Sequence, residues 1–248
     1  YIEFRPVCIL PVRLFSLGRD SVLMPDRLRT TVRDVIDRRV GASERTSVLA
    51  SLTGADLLSL GALFLAWTSV LAFLRGAPNH AVLLMFGGYA LDKLDGAYAR
   101  WRGVSSPFGR QIDSFIDVFV YLITGALLFH YAVSPHPLVS AVVGFLVLAF
   151  GGLRLVRHNA EGFGDESGTS YYHGTTVVHT NLVVVVSYLL LHLLPLWNGW
   201  AAAVLVALVC PLMISDYRSY KTRASHALAG GAALLAAALV VLVELGHL

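Results

Sequence analysis

The sequence predicts an all-α fold, a polytopic integral membrane helical bundle of about seven transmembrane helices, preceded by an amphipathic interfacial helix. Three observations lead there. Of the 248 residues, 56% are hydrophobic and only 14% charged, with a mean hydropathy of +0.67, a balance far more apolar than that of ordinary soluble domains. Seven apolar runs approach the roughly 20 residues that a helix needs to cross a bilayer. The cations are distributed unevenly around those runs.

Residues 1–50 are expected to form a cytoplasmic or interfacial segment and residues 51–248 the transmembrane domain. The apolar stretch within residues 1–20 is too short, and too interrupted by Pro6 and Pro11, to span. It does not read as a signal peptide, because no small-residue cleavage site leads into a soluble domain. Over residues 25–40, Leu28, Val32, Val35, Ile36 and Val40 recur at helical spacing, while Arg27, Arg33, Arg38 and Arg39 occupy much of the remaining surface. Such a helix lies in the cytoplasmic interface with its cations toward headgroups, or packs on the protein's own cytoplasmic face.

The expected spans are 55–74, 81–101, 108–131, 138–155, 175–194, 197–214 and 224–245. Nine of the nineteen Lys and Arg residues precede the first span, and the loops after the second, fourth and sixth hold most of the others. Arg75 is the sole cation in the opposite loops. By the positive-inside rule the N-terminus is cytoplasmic and the C-terminus external. The net charge of +3 and pI near 9.0 come from residues flanking spans, not from a basic stripe interleaved with aromatics. An anionic lipid bilayer is therefore the expected partner, and nucleic acid is not. Cys8 and Cys210 are too few and too separated for a disulfide framework or a thiolate metal site.

The chemistry concentrates between residues 92 and 117. Asp92, Asp95, Gly96 and Ala99 share one face of a helix, and Gly109, Asp113 and Asp117 follow at four-residue steps on one face of the next. The intervening segment 101–108 is short, so the two helices are antiparallel neighbours whose carboxylates can converge. Four carboxylates beside a bilayer need cations to offset them. Oxygen donors at this density suit Mg²⁺, Mn²⁺ or Ca²⁺ rather than zinc. By the positive-inside rule the cluster opens to the cytoplasm. Lys93, at a position between the first two carboxylates, either contacts a headgroup or offsets the local negative charge.

The string D-x2-D-G-x2-A-R-x8-G-x3-D-x3-D, matched here at every fixed position, resembles the signature of the CDP-alcohol phosphotransferase family. The resemblance implies a metal-dependent transferase with two divalent cations, Mg²⁺ or Mn²⁺, and Ca²⁺ as a non-productive occupant. It implies that Asp92, Asp95 and Asp113 are metal ligands. Asp117 would complete the metal site and act as the catalytic general base toward an acceptor hydroxyl. Gly96, Ala99, Arg100 and Gly109 match positions that accommodate the cytidine nucleotide, although Arg100 also suits a snorkelling membrane anchor. Asp56, opening the first span, either touches CDP or starts a helix, where a carboxylate is favoured by the N-terminal dipole. In the family an alcohol attacks the lipid-side phosphorus of CDP-diacylglycerol or a related CDP-lipid, and CMP leaves. A homodimer is inherited as a further expectation, and Gly230 and Gly231 in the last span suit close helix packing there or within one chain.

Three further stretches resemble the phosphatidylserine synthase branch, which implies L-serine as the small polar alcohol acceptor. Phe108-Gly-Arg-Gln-Ile-Asp113-Ser114-Phe-Ile-Asp117 resembles F-G-x2-L-D-S-x2-D. Arg154-Leu-Val-Arg157-His158-Asn159 resembles R-L-A-R-F-N, and Leu212-Met-Ile-Ser215-Asp216 resembles L-M-I-S-D. Arg154 and Arg157 share a helix face and suit the carboxylate of serine, the phosphate of inositol phosphate or glycerol 3-phosphate, or simple anchoring. The branch's G-L-P-x-P stretch is replaced by Tyr172-His173-Gly174-Thr175-Thr176-Val-Val-His179-Thr180-Asn181, which keeps the glycine without either proline. His173 is the better acceptor-site candidate of the two histidines, which stand six apart on opposite helix sides. Residues 159–170 read as a mobile cytoplasmic connection. A cation transporter using the carboxylates as its ion path is the rival from another class, but the carboxylates cluster at one membrane face and no inverted repeat is evident. An inactive scaffold is disfavoured by the intact acidic set.

Overall fold

The computed structural model describes residues 52–104, 107–162, 164–166, 169–220 and 222–247. The N-terminal segment, with the amphipathic helix expected over 25–40, lies outside the described residues. Helix α1 (Gly54–Leu74) begins on a capping box. The Thr53 hydroxyl accepts from the Asp56 amide at 3.4 Å, and the Asp56 carboxylate accepts from the Thr53 amide at 2.6 Å, so two end donors are satisfied reciprocally. A tight turn at Gly76 leads into α2 (Pro78–Arg102), which has proline in its first turn and left-handed Gly103 after its last. The two helices pack along their length through small residues: Ala62 is fully buried, and its carbonyl lies 3.5 Å from where a Gly88 Cβ would stand.

Helix α3 (Phe108–Val133) is the centre of the bundle. Half of its apolar window is buried, against 11% for the last helix. The α-helix Pro107–Asp117, which opens α3 and reaches one residue before it, gives way directly after Asp117 to a π-helical stretch, Val118–Ile123, and a second one covers Phe129–Val133. Such widened turns are rare and occur frequently at functional sites. Phe73, Met85, Tyr121, Leu122, Phe129 and Val147 are among the largest fully buried side chains.

Helices α4 (Pro137–Glu161), α5 (Val177–Leu193), α6 (Gly199–Ile214) and α7 (Arg223–Glu244) complete the bundle. The outward face of α4, with Leu138, Val142, Phe145, Leu153 and Val156, and that of α1, with Leu57, Phe64 and Trp67, are exposed and apolar, as lipid contact requires.

Among the described residues, four helices are long and apolar enough to cross a membrane: α1, α3, α4 and the Ala227–Glu244 part of α7. The apolar runs predict seven. Helix α2 reaches 25 residues, but Asp92, Lys93, Asp95, Arg100 and Arg102 interrupt the apolar character of its second half. Helix α5 stops at 17 residues. Helix α6 tightens into a 3₁₀ turn over Cys210–Ile214, where Pro211 cannot donate to the carbonyl one turn back.

The second difference is a small antiparallel sheet of β1 (Gly164–Glu166), β2 (Thr169–His173) and β3 (Arg218–Tyr220), in the order β1-β2-β3. Tyr172 pairs with Ser219 and His173 with Arg218. The segment read as a mobile connection is therefore the end of α4 followed by a β-hairpin. Charged and glycine residues masked the strand pattern, and the third strand comes from some fifty residues downstream.

Gly174 closes this sheet against α5. Its φ is +71°, its amide donates to the Tyr217 carbonyl at 2.7 Å, and an added Cβ would run into the Met213 carbonyl. Gly174→Ala is expected to lower stability by about 2 kcal/mol or more, combining left-handed strain with the clash. Gly103→Ala, where φ is +66° but no described residue lies within 4 Å of the added carbon, should cost only about 1 kcal/mol. Unfolding midpoints of the two variants in detergent test the difference.

Candidate active site

Helix α2 presents a continuous buried face: Met85, Gly88, Tyr89, Asp92 and Asp95. Helix α3 meets it at the end where Asp113 and Asp117 lie. One carboxylate oxygen from each of Asp92, Asp95 and Asp113 falls within 4.8 Å of the other two. Asp92 and Asp95 are buried and Asp113 is exposed, so the cluster has a closed floor and an open side.

Each buried member is held by a donor. The Tyr121 hydroxyl donates to Asp92 Oδ2 at 2.6 Å, and Lys93 Nζ reaches the same oxygen at 2.9 Å. The Ser59 hydroxyl of α1 donates to Asp95 Oδ2. Lys93 thus offsets part of the local negative charge. Asp117 is half-buried, stands outside the triad, and interacts electrostatically with Asp92 and Asp113 on one side and with Lys93 and Arg154 on the other. Three convergent carboxylates with one open side fit a hard divalent cation, which takes oxygen ligands and water together. Hydrogen-bond support of each buried carboxylate from a neighbouring side chain is the usual way such ligands are oriented.

Among the expected nucleotide positions, Gly96 and Ala99 are half-buried on α2 and Gly109 is half-buried on α3. Arg100 folds back over Gly96: a Cβ there would stand 3.2 Å from Arg100 Nη1. Asp56 is 5% exposed, and its carboxylate forms the α1 cap with Thr53.

The arginine pair is divided between two tasks. Arg157 donates to the Ile214 carbonyl at 2.9 Å and the Ser215 carbonyl at 3.1 Å, and lies 3.9 Å from Asp216. Arg154 is buried, with its guanidinium 5.5 Å over the Tyr172 ring. Both line a cavity closed on the sheet side by Tyr172 and His173. His173 Nδ1 is buried with no hydrogen-bond partner among the described residues. Burial raises the Tyr172 phenol above its ordinary pKa, and the positive charges of Arg154, Lys93 and Arg100 oppose that rise.

The three branch-like stretches, far apart in sequence, meet here. Ser114, beside Asp113, donates to Asn159 at 3.1 Å. Arg157, two residues earlier on α4, ties that stretch to residues 213–216. Ser59, Tyr121, Asn181 and Tyr172 were not singled out from the sequence. Tyr121 was within reach, because the four-residue stride Gly109, Asp113, Asp117 continues to it. Tyr172 and Asn181 bound the polar run that replaces the branch's proline stretch, which marks the run but neither residue singly, and Ser59 carries no local signal.

Residues 52–215 match the family profile described as CDP-alcohol phosphatidyltransferase. The archaetidylserine synthase of Methanothermobacter thermautotrophicus is 29% identical over 163 residues, covering 65% of this chain and 66% of that protein. A CDP-diacylglycerol–serine O-phosphatidyltransferase of Bacillus subtilis is 27% identical over 106 residues, 42% of this chain and 60% of the relative. One of Mycobacterium tuberculosis is 33% identical over 93 residues, 38% of this chain and 32% of the relative. The matched segment spans less than two thirds of each relative's length.

Proposed function

The chain belongs to the CDP-alcohol phosphatidyltransferase family, and on that premise we propose that it transfers a phosphatidyl group from CDP-diacylglycerol or a related CDP-lipid to L-serine, releasing CMP. The observation that carries this reading is the convergence of Asp92, Asp95 and Asp113 at the meeting point of the three branch-like stretches. The relatives named above share serine in their names and differ in the lipid part, which favours serine as the acceptor and leaves the donor's tails open.

Asp92, Asp95 and Asp113 hold divalent metal, with Asp117 completing a site for two ions, Mg²⁺ or Mn²⁺. When bound, such ions neutralise a pyrophosphate and stabilise the departing oxygen of an in-line displacement. The chain's own residues do the rest. Gly96, Ala99 and Gly109 leave room for the nucleotide, and Arg100 lies over it as a counter-charge. Asp117, in an anionic and half-buried setting, takes the proton from the serine hydroxyl as that oxygen bonds to the lipid-side phosphorus and the bond to CMP breaks. Arg154 and His173 receive the acceptor's carboxylate and polar groups, while Arg157 holds the cavity wall.

In the bilayer, all seven helices span, α2, α5 and α6 included, with the site and N-terminus on the cytoplasmic side. The protein acts as a homodimer. The test is CMP release from CDP-diacylglycerol by purified protein with Mg²⁺ or Mn²⁺, run with serine, inositol phosphate, glycerol 3-phosphate or no acceptor. Stimulation by serine alone is expected, and stimulation only by a phosphorylated alcohol would move the acceptor. Arg154→Gln should raise the KM for serine by about tenfold or more, the worth of one charge-assisted hydrogen bond, with little change in the KM for CDP-lipid. Arg157→Gln should mainly lower the unfolding temperature.

A further inference from the structure

A buried polar chain runs from the carboxylate cluster into the middle of the bundle. Asp92 Oδ2 accepts from the Tyr121 hydroxyl at 2.6 Å. The Tyr121 carbonyl, inside the first π-helical stretch, accepts from Asn181 Nδ2 at 2.6 Å. Asn181 Oδ1 accepts from the Tyr89 hydroxyl, and the Tyr89 and Tyr121 rings lie against each other, tilted by 34°, with centroids 4.5 Å apart. Asp92, Tyr89, Tyr121 and Asn181 are at most 7% exposed. The chain joins α2, α3 and α5, and every polar group in it that the argument uses has a partner.

The fit around Asn181 is close. A Cβ on Gly125, one further four-residue step beyond Tyr121, would stand 2.9 Å from Asn181 Nδ2, so glycine there admits the amide. Asn181 also ends the polar run that replaces the branch's proline-containing stretch, and this contact gives that departure a physical use. An unpartnered amide at this depth would cost several kcal/mol, so its place in the network is well determined.

We propose that Tyr121, held in place by Asn181, is a positioning residue that orients Asp92 toward the divalent cation. The proposal rests on the metal reading given above. Oδ2 is engaged by Tyr121 and Lys93, which would leave Oδ1 as the freer oxygen for a cation held at the cluster. Removing the Tyr121 hydroxyl frees the carboxylate to rotate, and losses of a supporting hydrogen bond to a metal ligand typically weaken metal affinity about 10–100-fold.

The test is Mn²⁺ binding to purified full-length protein, read by electron paramagnetic resonance and so independent of turnover. Wild type, Tyr121→Phe, Asn181→Ala, Asp92→Asn and the Tyr121→Phe/Asp92→Asn double variant are compared. Tyr121→Phe should weaken Mn²⁺ binding at least about tenfold, and Asn181→Ala should weaken it in the same direction by less. In the Asp92→Asn background, Tyr121→Phe should add almost nothing, because the ligand it orients is already gone. A merely structural tyrosine would give the same loss in both backgrounds, and that result, or binding by Tyr121→Phe within twofold of wild type, overturns the proposal. If Tyr121→Phe does not fold, unchanged Mn²⁺ binding by folded Asn181→Ala overturns it equally. No Mn²⁺ binding by wild type would instead overturn the metal reading and this inference with it.

Discussion

Asp117→Asn is expected to lower serine-stimulated CMP release by about 10²–10⁴-fold, the usual contribution of a positioned general base, while Mn²⁺ and CDP-lipid still bind. The expectation follows from where Asp117 stands. It lies one turn beyond Asp113 on α3, outside the triad whose oxygens converge within 4.8 Å, and directly before the helix widens into its π-helical stretch. An asparagine there keeps the shape of the side chain and removes its ability to take a proton. Single-turnover CMP release and Mn²⁺ titration on the same preparation separate chemistry from binding. Turnover near that of wild type would show that another group receives the hydroxyl proton. A parallel collapse of Mn²⁺ binding would make Asp117 chiefly a ligand.

Asp95→Asn is expected to act on both affinity and stability, with opposite signs. Asp95 is 4% exposed, is bonded by Ser59 of α1, and shares the cluster with Asp92 and Asp113. Losing one of three charged ligands should weaken Mn²⁺ binding by more than about 100-fold, beyond the range seen for supporting groups, and should take CMP release below detection. Without metal, however, the variant should unfold at a higher temperature than wild type. A neutral amide relieves repulsion among three neighbouring carboxylates and its oxygen still accepts from Ser59. Saturating Mn²⁺ should reverse the order, since a ligand present at 100 times its Kd adds about 2.7 kcal/mol to the form that binds it. Thermal unfolding of both proteins with and without Mn²⁺ checks the crossing. A metal-free variant less stable than wild type would mean that the cluster carries no net repulsion to relieve.

The two expectations differ because the two aspartates are embedded differently, and that difference was only partly legible in the sequence. The helical phases of Asp92, Asp95, Asp113 and Asp117 follow from spacing alone, as does the antiparallel pairing of α2 with α3. Spacing could not say that three of the four would converge and that Asp117 would stand apart. Nor could it divide Arg154 from Arg157: both share a face, yet Arg157 is drawn off by the carbonyls of residues 213–215 while Arg154 turns to Tyr172. Asp56 had two readings open, and its carboxylate is engaged by the Thr53 cap.

Local pattern and composition control the helices where apolar runs persist, the two carboxylate-bearing faces, and the family those faces announce. The tertiary structure alone decided which helix is central, that a three-stranded sheet closes the cavity, and that Tyr121, Asn181 and Ser59 support the carboxylates. Those features depend on partners 29 to 92 residues apart, and a hydrogen bond between distant segments leaves no periodic trace in either one. The division has a physical reason. Backbone sterics and hydrophobic periodicity act over a few residues, whereas the orientation of a buried ligand is set by whichever helix packing happens to bring against it.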